Sequence, residues 1–449
     1  MPTDPLIILK TWGRMRASEL QRRMGVSRAT MMRAIRARAG SIIVRGNARR
    51  AAYAARRKVR GSDAAISLFR IDEHGLGARM GALDPVYPQG AALLLQQPCE
   101  WPLPEDMADG WFDGLPYLFD DMRPQGFIGR SFARQHALLL QASDDPTRWN
   151  EDDVLHALSL FGVDLPGNYI VGEAAYRQYL QLRQAPPPFL DDDEDLLARS
   201  YSDLAAVALQ GGVAASSAGG EFPKFLARRM DGLEKRHVLV KFSGNDASPS
   251  SQRWADLLVC EHLAHEMIAR ELRIEASQSR ICKGGGRTFL EVMRFDRHGE
   301  FGRSPVCSWL ALNAALLGVP DHSWIVGANA LSRKKMITQE TAHDIARLWH
   351  FGQLIGNTDM HEGNLSFRPG LRLAPVYDML PMQYAPVRGV ELPERSFLPR
   401  LPLPDESALW TEAARAAIVF WESAGTDRRI SAAFRTLCKE NAVILRTMA

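Results

Sequence analysis

The stretch Ile355-Gly-Asn-Thr-Asp359-Met-His361-Glu-Gly-Asn364-Leu-Ser-Phe367, followed by Leu373-Ala-Pro-Val-Tyr377-Asp378-Met-Leu-Pro381, decides how this chain is read. An apolar helix over Ile345–Ile355 leads into a polar loop, and the loop leads into the strand-like Asn364–Phe367. Asp359 and Asn364 have the spacing D-x4-N, and Asp378 closes a second short apolar run. Where a hydroxyl attacks a phosphoryl group, an Asp in such a loop can accept the proton, and the Asn can hold Mg²⁺. Asp378, placed opposite Asn364 on a β-hairpin, would add a second hard oxygen ligand. The spacing alone is weak, because a chain of this composition supplies about 0.6 such Asp–Asn pairs by chance.

Two upstream features strengthen it. In His237-Val-Leu-Val-Lys241-Phe242 a lysine stands inside an apolar strand pattern. Burying an unpaired ammonium is costly, so Lys241 either reaches solvent from an edge strand or has a carboxylate partner. Asp256 and Glu261 are both candidates. Kinase-type sites place such a lysine on the ATP phosphates. The loop Leu209–Lys224 carries four glycines whose freed N–H groups can cradle phosphate. It lacks GxxxxGK[ST], which excludes a P-loop NTPase. Glycine loop, strand lysine, D-x4-N and the final aspartate occur in kinase order.

At these residues the sequence resembles the HipA family of bacterial serine/threonine kinase toxins. The resemblance runs through Ser217–Lys224, His237–Phe242, Met293-Arg-Phe-Asp-Arg297, Gly356–Asn364 and Pro375–Asp378, and Phe112–Gly129 resembles the family's β-rich N-terminal subdomain. It implies that Asp359 is the catalytic base and that Asn364 and Asp378 bind Mg²⁺. It implies that Lys241, His361 and Asp378 contact ATP, that Met293 and Phe295 form the adenine hinge, and that Gly219, Gly220 and Lys224 cover the nucleotide. Ser217 matches the serine that family members autophosphorylate, with Ser216 adjacent. The implied substrate is a protein, an aminoacyl-tRNA synthetase or other translation factor among the options. Family kinases usually pair with a separate DNA-binding antitoxin, whereas this chain carries a basic head of its own. The tripeptide Asp378-Met-Leu also departs from the Asp-Phe-Gly of eukaryotic kinases.

That head is residues 1–62, with 16 Lys+Arg against Asp4 and Glu19, a net of +14 in a chain whose total is +3. Nucleic-acid phosphate is the commonest partner of such a segment. Leu6–Lys10 begins a helix; Ser18 can cap a second, broken by Gly25; Ser27 can cap a third running to about Ala39. On the third, Met31, Met32, Ile35 and Ala39 are expected to face the core, and Thr30, Arg33, Ala34 and Ala37 to face outward. Ser41–Val44 and the arginine-rich Arg49–Arg57 read as strands around an Arg45-Gly46-Asn47 turn. The expectation is a winged helix-turn-helix that binds DNA through Arg28, Thr30, Arg33, Arg45, Arg49 and Arg50.

The fold expected is therefore multidomain α+β. It comprises the winged head (1–62), a β-rich subdomain (63–185), a kinase N-lobe-like part (196–300) and a largely helical C-terminal lobe (301–449). Ala185–Asp195, APPPFLDDDED, reads as a boundary or exposed loop. The acidic pairs Asp120-Asp121 and Asp144-Asp145 read as solvated loops. Five scattered cysteines without CxxC spacing support neither a disulfide framework nor a zinc site. No apolar run reaches the roughly 18 residues of a membrane span. A cytoplasmic protein, nucleoid-associated if it binds DNA, is the default, and a homodimer is one option. Two other functions fit parts of the pattern: a DNA-binding regulator whose kinase fold senses nucleotide, and a metal-dependent DNA-cleaving enzyme.

Overall fold

The computed structural model describes residues 4–210, 222–320, 322–387, 392 and 394–448. The chain divides into two compact units, one of Met1–Arg123, Ala137–Ser143 and Thr147–Pro186, the other of Pro124–His136, Asp144–Pro146 and Pro187–Ala449.

The first unit begins with α1 (Pro5–Trp12), capped by the Asp4 side chain, which accepts the Leu6 N–H at 3.0 Å. β1 (Met15–Arg16), α2 (Ala17–Met24) and α3 (Arg28–Ala37) follow, with Gly25 between the helices at a φ of 63°. That left-handed geometry suits glycine. Ser27 caps α3 as expected, accepting the Thr30 N–H at 3.2 Å. β2 (Ile42–Arg45) and β3 (Ala52–Ala55) complete an antiparallel sheet of order β1-β3-β2. Leu9, Leu20, Met31, Ile35 and Tyr53 form one core. Burial of Met31 and Ile35 contributes about 1.5–3 kcal/mol each and holds α3 down by one face.

Three local expectations change. Ser18 lies inside α2, whose N-cap position is Arg16 without a side-chain cap. Ala39 is exposed because α3 ends at Ala37, and Ala34 packs against the core instead. The second strand begins only at Ala52, after a 3-10 turn over Ala48–Arg50.

An antiparallel sheet of order β7-β6-β5-β4-β8 follows, built from β4 (Ile66–Ile71), β5 (Gly77–Pro85), β6 (Ala91–Leu95), β7 (Trp111–Phe112) and β8 (Tyr169–Val171). Helices α4 (Glu105–Ala108), α5 (Gly126–Leu140), α6 (Glu151–Phe161) and α7 (Glu173–Gln184) lie between and after these strands in the chain. The head's charge meets acids of this segment. Asp84 is buried between Arg45 (3.0 Å) and Arg56 (2.8 Å). Arg50 pairs with Glu105 and Asp109, both at 2.9 Å, and Arg57 and Arg60 pair with Asp152 and Asp153. Part of the imbalance expected to need an outside partner is thus met inside the chain.

In the second unit α8 (Glu194–Gln210) precedes an antiparallel sheet of order β11-β12-β10-β9: β9 (Lys224–Asp231), β10 (Glu234–Phe242), β11 (Ser279–Gly284) and β12 (Arg287–Met293). Strand alternation turns Val238, Val240 and Phe242 toward Leu197, Tyr201 and Ala205 of α8, and Lys241 to the other face. The helix α9 (Pro249–Met267) packs on the sheet. The small strands β13 (Arg297–His298), β14 (Gly302–Arg303) and β15 (Cys307–Ser308) lead into α10 (Trp309–Leu316), α11 (Trp324–Arg333) and α12 (Gln339–Leu354). The β16 (Ser366–Arg368)–β17 (Arg372–Leu373) hairpin and then α13 (Ser407–Thr426) and α14 (Ala432–Met448) complete a largely helical second half. The Trp421 indole, fully buried, donates to the Leu354 carbonyl at 3.0 Å and ties α13 to the end of α12.

The division between the two units falls at Pro186 and Pro187, within Ala185–Asp195, and most of the acidic residues of that stretch are exposed. Leu190 bridges to Arg229 beside β9, Asp192 pairs with Arg229 at 3.3 Å, and the Asp193 carboxylate accepts the Leu196 N–H at 3.0 Å to cap α8. Carboxylates at a helix N-terminus are favoured by its dipole, so the run also caps α8.

Candidate active site

β10 carries Lys241 into the interior, where its ammonium meets two carboxylates. Nζ lies 2.7 and 2.8 Å from the oxygens of Glu261 on α9 and 2.5 Å from Oδ1 of Asp378. Lys241 and Glu261 are almost wholly buried, and Asp378 is half-buried. Burial pushes the Lys241 ammonium down, but Asp378 and Glu261 outweigh it and hold it above the ordinary lysine value. Burial pushes Asp378 up, and the charges of Lys241 and Lys224 reverse this, holding its carboxyl at about 2. Glu261, deeper still, is pushed up by burial against the pull of Lys241. On α9 His265 is kept neutral, pushed down to about 3 by burial and then by the charge of Lys241.

Of the two acidic candidates, Glu261 is therefore the partner. Asp256 lies five residues earlier, about 140° round the helix. It accepts from the Ser431 N–H and hydroxyl at 2.7 and 2.6 Å instead.

The Asp359 loop starts at the end of α12. Asn357, a residue that sequence reading passed over, joins it to Asp378. Its buried side chain accepts the Asp359 N–H at 3.0 Å and donates to the Asp378 carbonyl at 3.3 Å. Asn364 donates to the Asp359 carbonyl at 2.8 Å, closing the loop. His361 accepts the Gly363 N–H at Nδ1, and the Trp324 indole donates to the His361 carbonyl at 3.3 Å. Asn313 of α10 donates to buried Glu362 at 2.7 Å, and Tyr377 donates to the Gly363 carbonyl at 2.7 Å. Asp359 itself is an exposed residue.

One placement differs from the expected hairpin. β17 stops at Leu373, and Asp378 lies beyond it, after Val376 has crossed to bridge Ala276. Pro375, which has no N–H to give to a ladder, ends the pairing. Asp378 takes a φ of 59°, a left-handed conformation that Asp tolerates better than most residues.

Lys224 is the cross-strand partner of Lys241 in the β9–β10 ladder, so the two ammonium groups share one face of the sheet. Met293 ends β12 with its N–H given to the Gln278 carbonyl at 2.8 Å, and Phe295 stands 6.0 Å from the Tyr377 ring. Ser216, Ser217, Gly219 and Gly220 fall outside the described residues. Of the head residues, Arg28, Arg33 and Arg49 are exposed, Thr30 is half-buried within α3, and Arg45 and Arg50 are ion-paired within the unit.

A strand lysine clamped by a helix glutamate and Asp378 stands with the loops that carry Asp359 and Asn364, and the chain belongs to the HipA-like toxins. Residues 216–440 match the HipA-like C-terminal domain, and residues 62–180 match the YjjJ-like toxin middle domain. More particularly, the chain is 37% identical over 428 residues to Toxin YjjJ of Escherichia coli (strain K12), covering 94% of this chain and 93% of that protein. In fold it is similar to the Shewanella oneidensis MR-1 toxin–antitoxin system HipA, solved with HipB and its operator DNA. The TM-score is 0.52 at 13% identity, over 84% of this chain and 96% of that one. A fainter likeness, TM-score 0.35 at 10% identity, covers 49% of this chain and 87% of the Helicobacter pylori proinflammatory kinase CtkA.

Proposed function

We propose that the protein is a serine/threonine protein kinase that transfers the ATP γ-phosphate to a protein hydroxyl, acts as a toxin or growth regulator, and binds DNA through its head. The observation that carries the kinase reading is Lys241, held by Glu261 at 2.7 Å and by Asp378 at 2.5 Å. One cation shared by two carboxylates leaves a net negative charge, which a phosphate-bound cation can neutralise.

The donors fit Mg²⁺. The Asn364 amide nitrogen is used by the Asp359 carbonyl, which leaves its oxygen for a cation, and Asp378 keeps a carboxylate at neutral pH. Among the described residues no group of three or more His, Cys, Asp and Glu could hold a metal. Mg²⁺ is commonly held by one or two such protein oxygens, with water and phosphate supplying the rest. Bound there, it would neutralise charge on the transferring phosphoryl group.

In this reading Lys241 and Lys224 orient the ATP phosphates, with His361 beside them. Phe295 follows Arg294, whose N–H is given to the His237 carbonyl, and is the hinge position whose backbone remains for adenine, with Met293 lining it. The Asp359 carboxylate accepts the proton of a serine or threonine hydroxyl as its oxygen bonds to the γ-phosphorus. The bond from that phosphorus to the β-phosphate oxygen breaks, and ADP departs. Gly219 and Gly220 cover the nucleotide, and Ser217 or Ser216 is the autophosphorylation site. Residues 1–62 are a winged helix-turn-helix; the order α1-β1-α2-α3-β2-β3 supports this. The protein substrate is a translation factor such as an aminoacyl-tRNA synthetase.

The test is purified protein with radiolabelled ATP and Mg²⁺, alone and with lysate, followed by mapping of phosphosites. Label on protein hydroxyls that Asp359→Ala abolishes, with ATP binding retained, is expected. Undiminished transfer by Asp359→Ala would remove the assigned base, and ATP binding without any transfer would make the fold a nucleotide sensor.

A further inference from the structure

The β2–β3 hairpin, the element a winged head would lay along DNA, is occupied on both its apolar and its charged sides. Ile43, Ala52 and Ala54 are buried in one cluster with Val86, Ala92 and Trp111 of the following sheet. Arg45 and Arg56 clasp Asp84, whose side chain is 4% exposed, and Arg50 reaches Glu105 and Asp109. A guanidinium already paired with carboxylates releases few counterions when phosphate approaches, and reaching phosphate would first break those pairs.

The helix α3 is in the opposite condition. Arg33 points directly away from buried Met31 and Ile35, and Arg36 lies beside it, both exposed. Arg33 donates only to Thr30 of its own helix, at 3.3 Å, and no carboxylate pairs with Arg28, Arg33 or Arg36 among the described residues. In the hairpin turn Arg49 alone shares that freedom.

Resting on the DNA-binding reading above, we infer that the β2–β3 hairpin is an intramolecular interface and that duplex DNA is held by α3 through Arg33 and Arg36. The carboxylates of the middle segment take Arg45 and Arg50 out of DNA binding and fix the head to the sheet behind it. Head and middle segment then meet DNA as one body, with a basic helix as the contact.

The full chain is titrated against a fluorescent random-sequence 25-bp duplex, by anisotropy, over a salt series. Arg33→Ala/Arg36→Ala is expected to weaken binding at least roughly tenfold and to lower the log K against log salt slope by about 2, near 0.9 for each phosphate lost. Arg50→Ala is expected to leave affinity within about twofold and the slope unchanged. A loss in Arg50→Ala equal to that of the α3 variant, with circular dichroism unchanged, overturns the assignment. If the wild type fails to bind at low salt, the DNA-binding reading falls, and the interface is judged by unfolding. Asp84→Ala is expected to lower the melting midpoint by about 4 °C or more, and an unchanged midpoint rejects the interface.

Discussion

Replacing Lys241 with Met tests whether the buried cation organises the site. In the wild type the ammonium lies 2.7 and 2.8 Å from Glu261 and 2.5 Å from Asp378, and the Lys241 and Glu261 side chains are 4% and 1% exposed. Methionine preserves the volume and removes the charge. Glu261 is then an uncompensated buried carboxylate with a second carboxylate nearby, an arrangement that costs about 3–5 kcal/mol. Glu261→Gln is milder, about 1–2 kcal/mol, because Lys241 keeps Asp378 and the glutamine carbonyl still accepts a hydrogen bond. Lys241→Met/Glu261→Gln leaves only half-buried Asp378 charged, so the double variant should be more stable than the sum of the single losses by about 1–3 kcal/mol. Urea denaturation followed by tryptophan fluorescence reads all four proteins. A cost below about 1 kcal/mol for Lys241→Met, or additivity within about 0.5 kcal/mol, would refute the reasoning.

Two further outcomes follow from the same geometry. Asn357→Ala removes the link between Asp359 and Asp378; stability should fall by about 1–3 kcal/mol, and phosphoryl transfer should lose roughly 10–100-fold in kcat with the KM for ATP little changed. Asn357→Asp, which keeps the acceptor for the Asp359 N–H, should be intermediate, and an unchanged kcat in Asn357→Ala would leave Asn357 a purely structural residue. Acid stability supplies the other. Asp378 is held at about 2 against an ordinary 3.8, so the unfolded chain takes up the proton first. The stabilisation is complete above about pH 4 and is lost as pH falls toward 2, roughly 2 kcal/mol in all. In Lys241→Met the acid limb of a pH–stability curve should move to higher pH, and an unmoved limb would show that Lys241 does not hold the carboxyl down.

Much of this site was legible because its chemistry is rare in its setting. An ammonium within an apolar strand must either reach solvent or find a carboxylate, and Lys241, on an inner strand, has two. Asn357 was not legible. An asparagine two residues before an aspartate in a polar loop carries no pattern, and its second partner, the Asp378 carbonyl, is a backbone atom 21 residues away. The place of Asp378 was read one step too simply, because the strand it was assigned to ends before Pro375.

The sequence by itself determined the order of the parts: a basic head with capped helices, a strand-rich segment, a lysine strand, and the D-x4-N and Asp378 loops. Alternation, charge and the Ser27 cap are local properties that survive without coordinates, whereas the Ser18 cap did not. Only the tertiary structure decided between Glu261 and Asp256, because the choice depends on which side of α9 faces the sheet. Only it showed Arg45 and Arg50 spent on carboxylates far along the chain. A count of charges gives the sign of a segment, but not which of its charges are already paired.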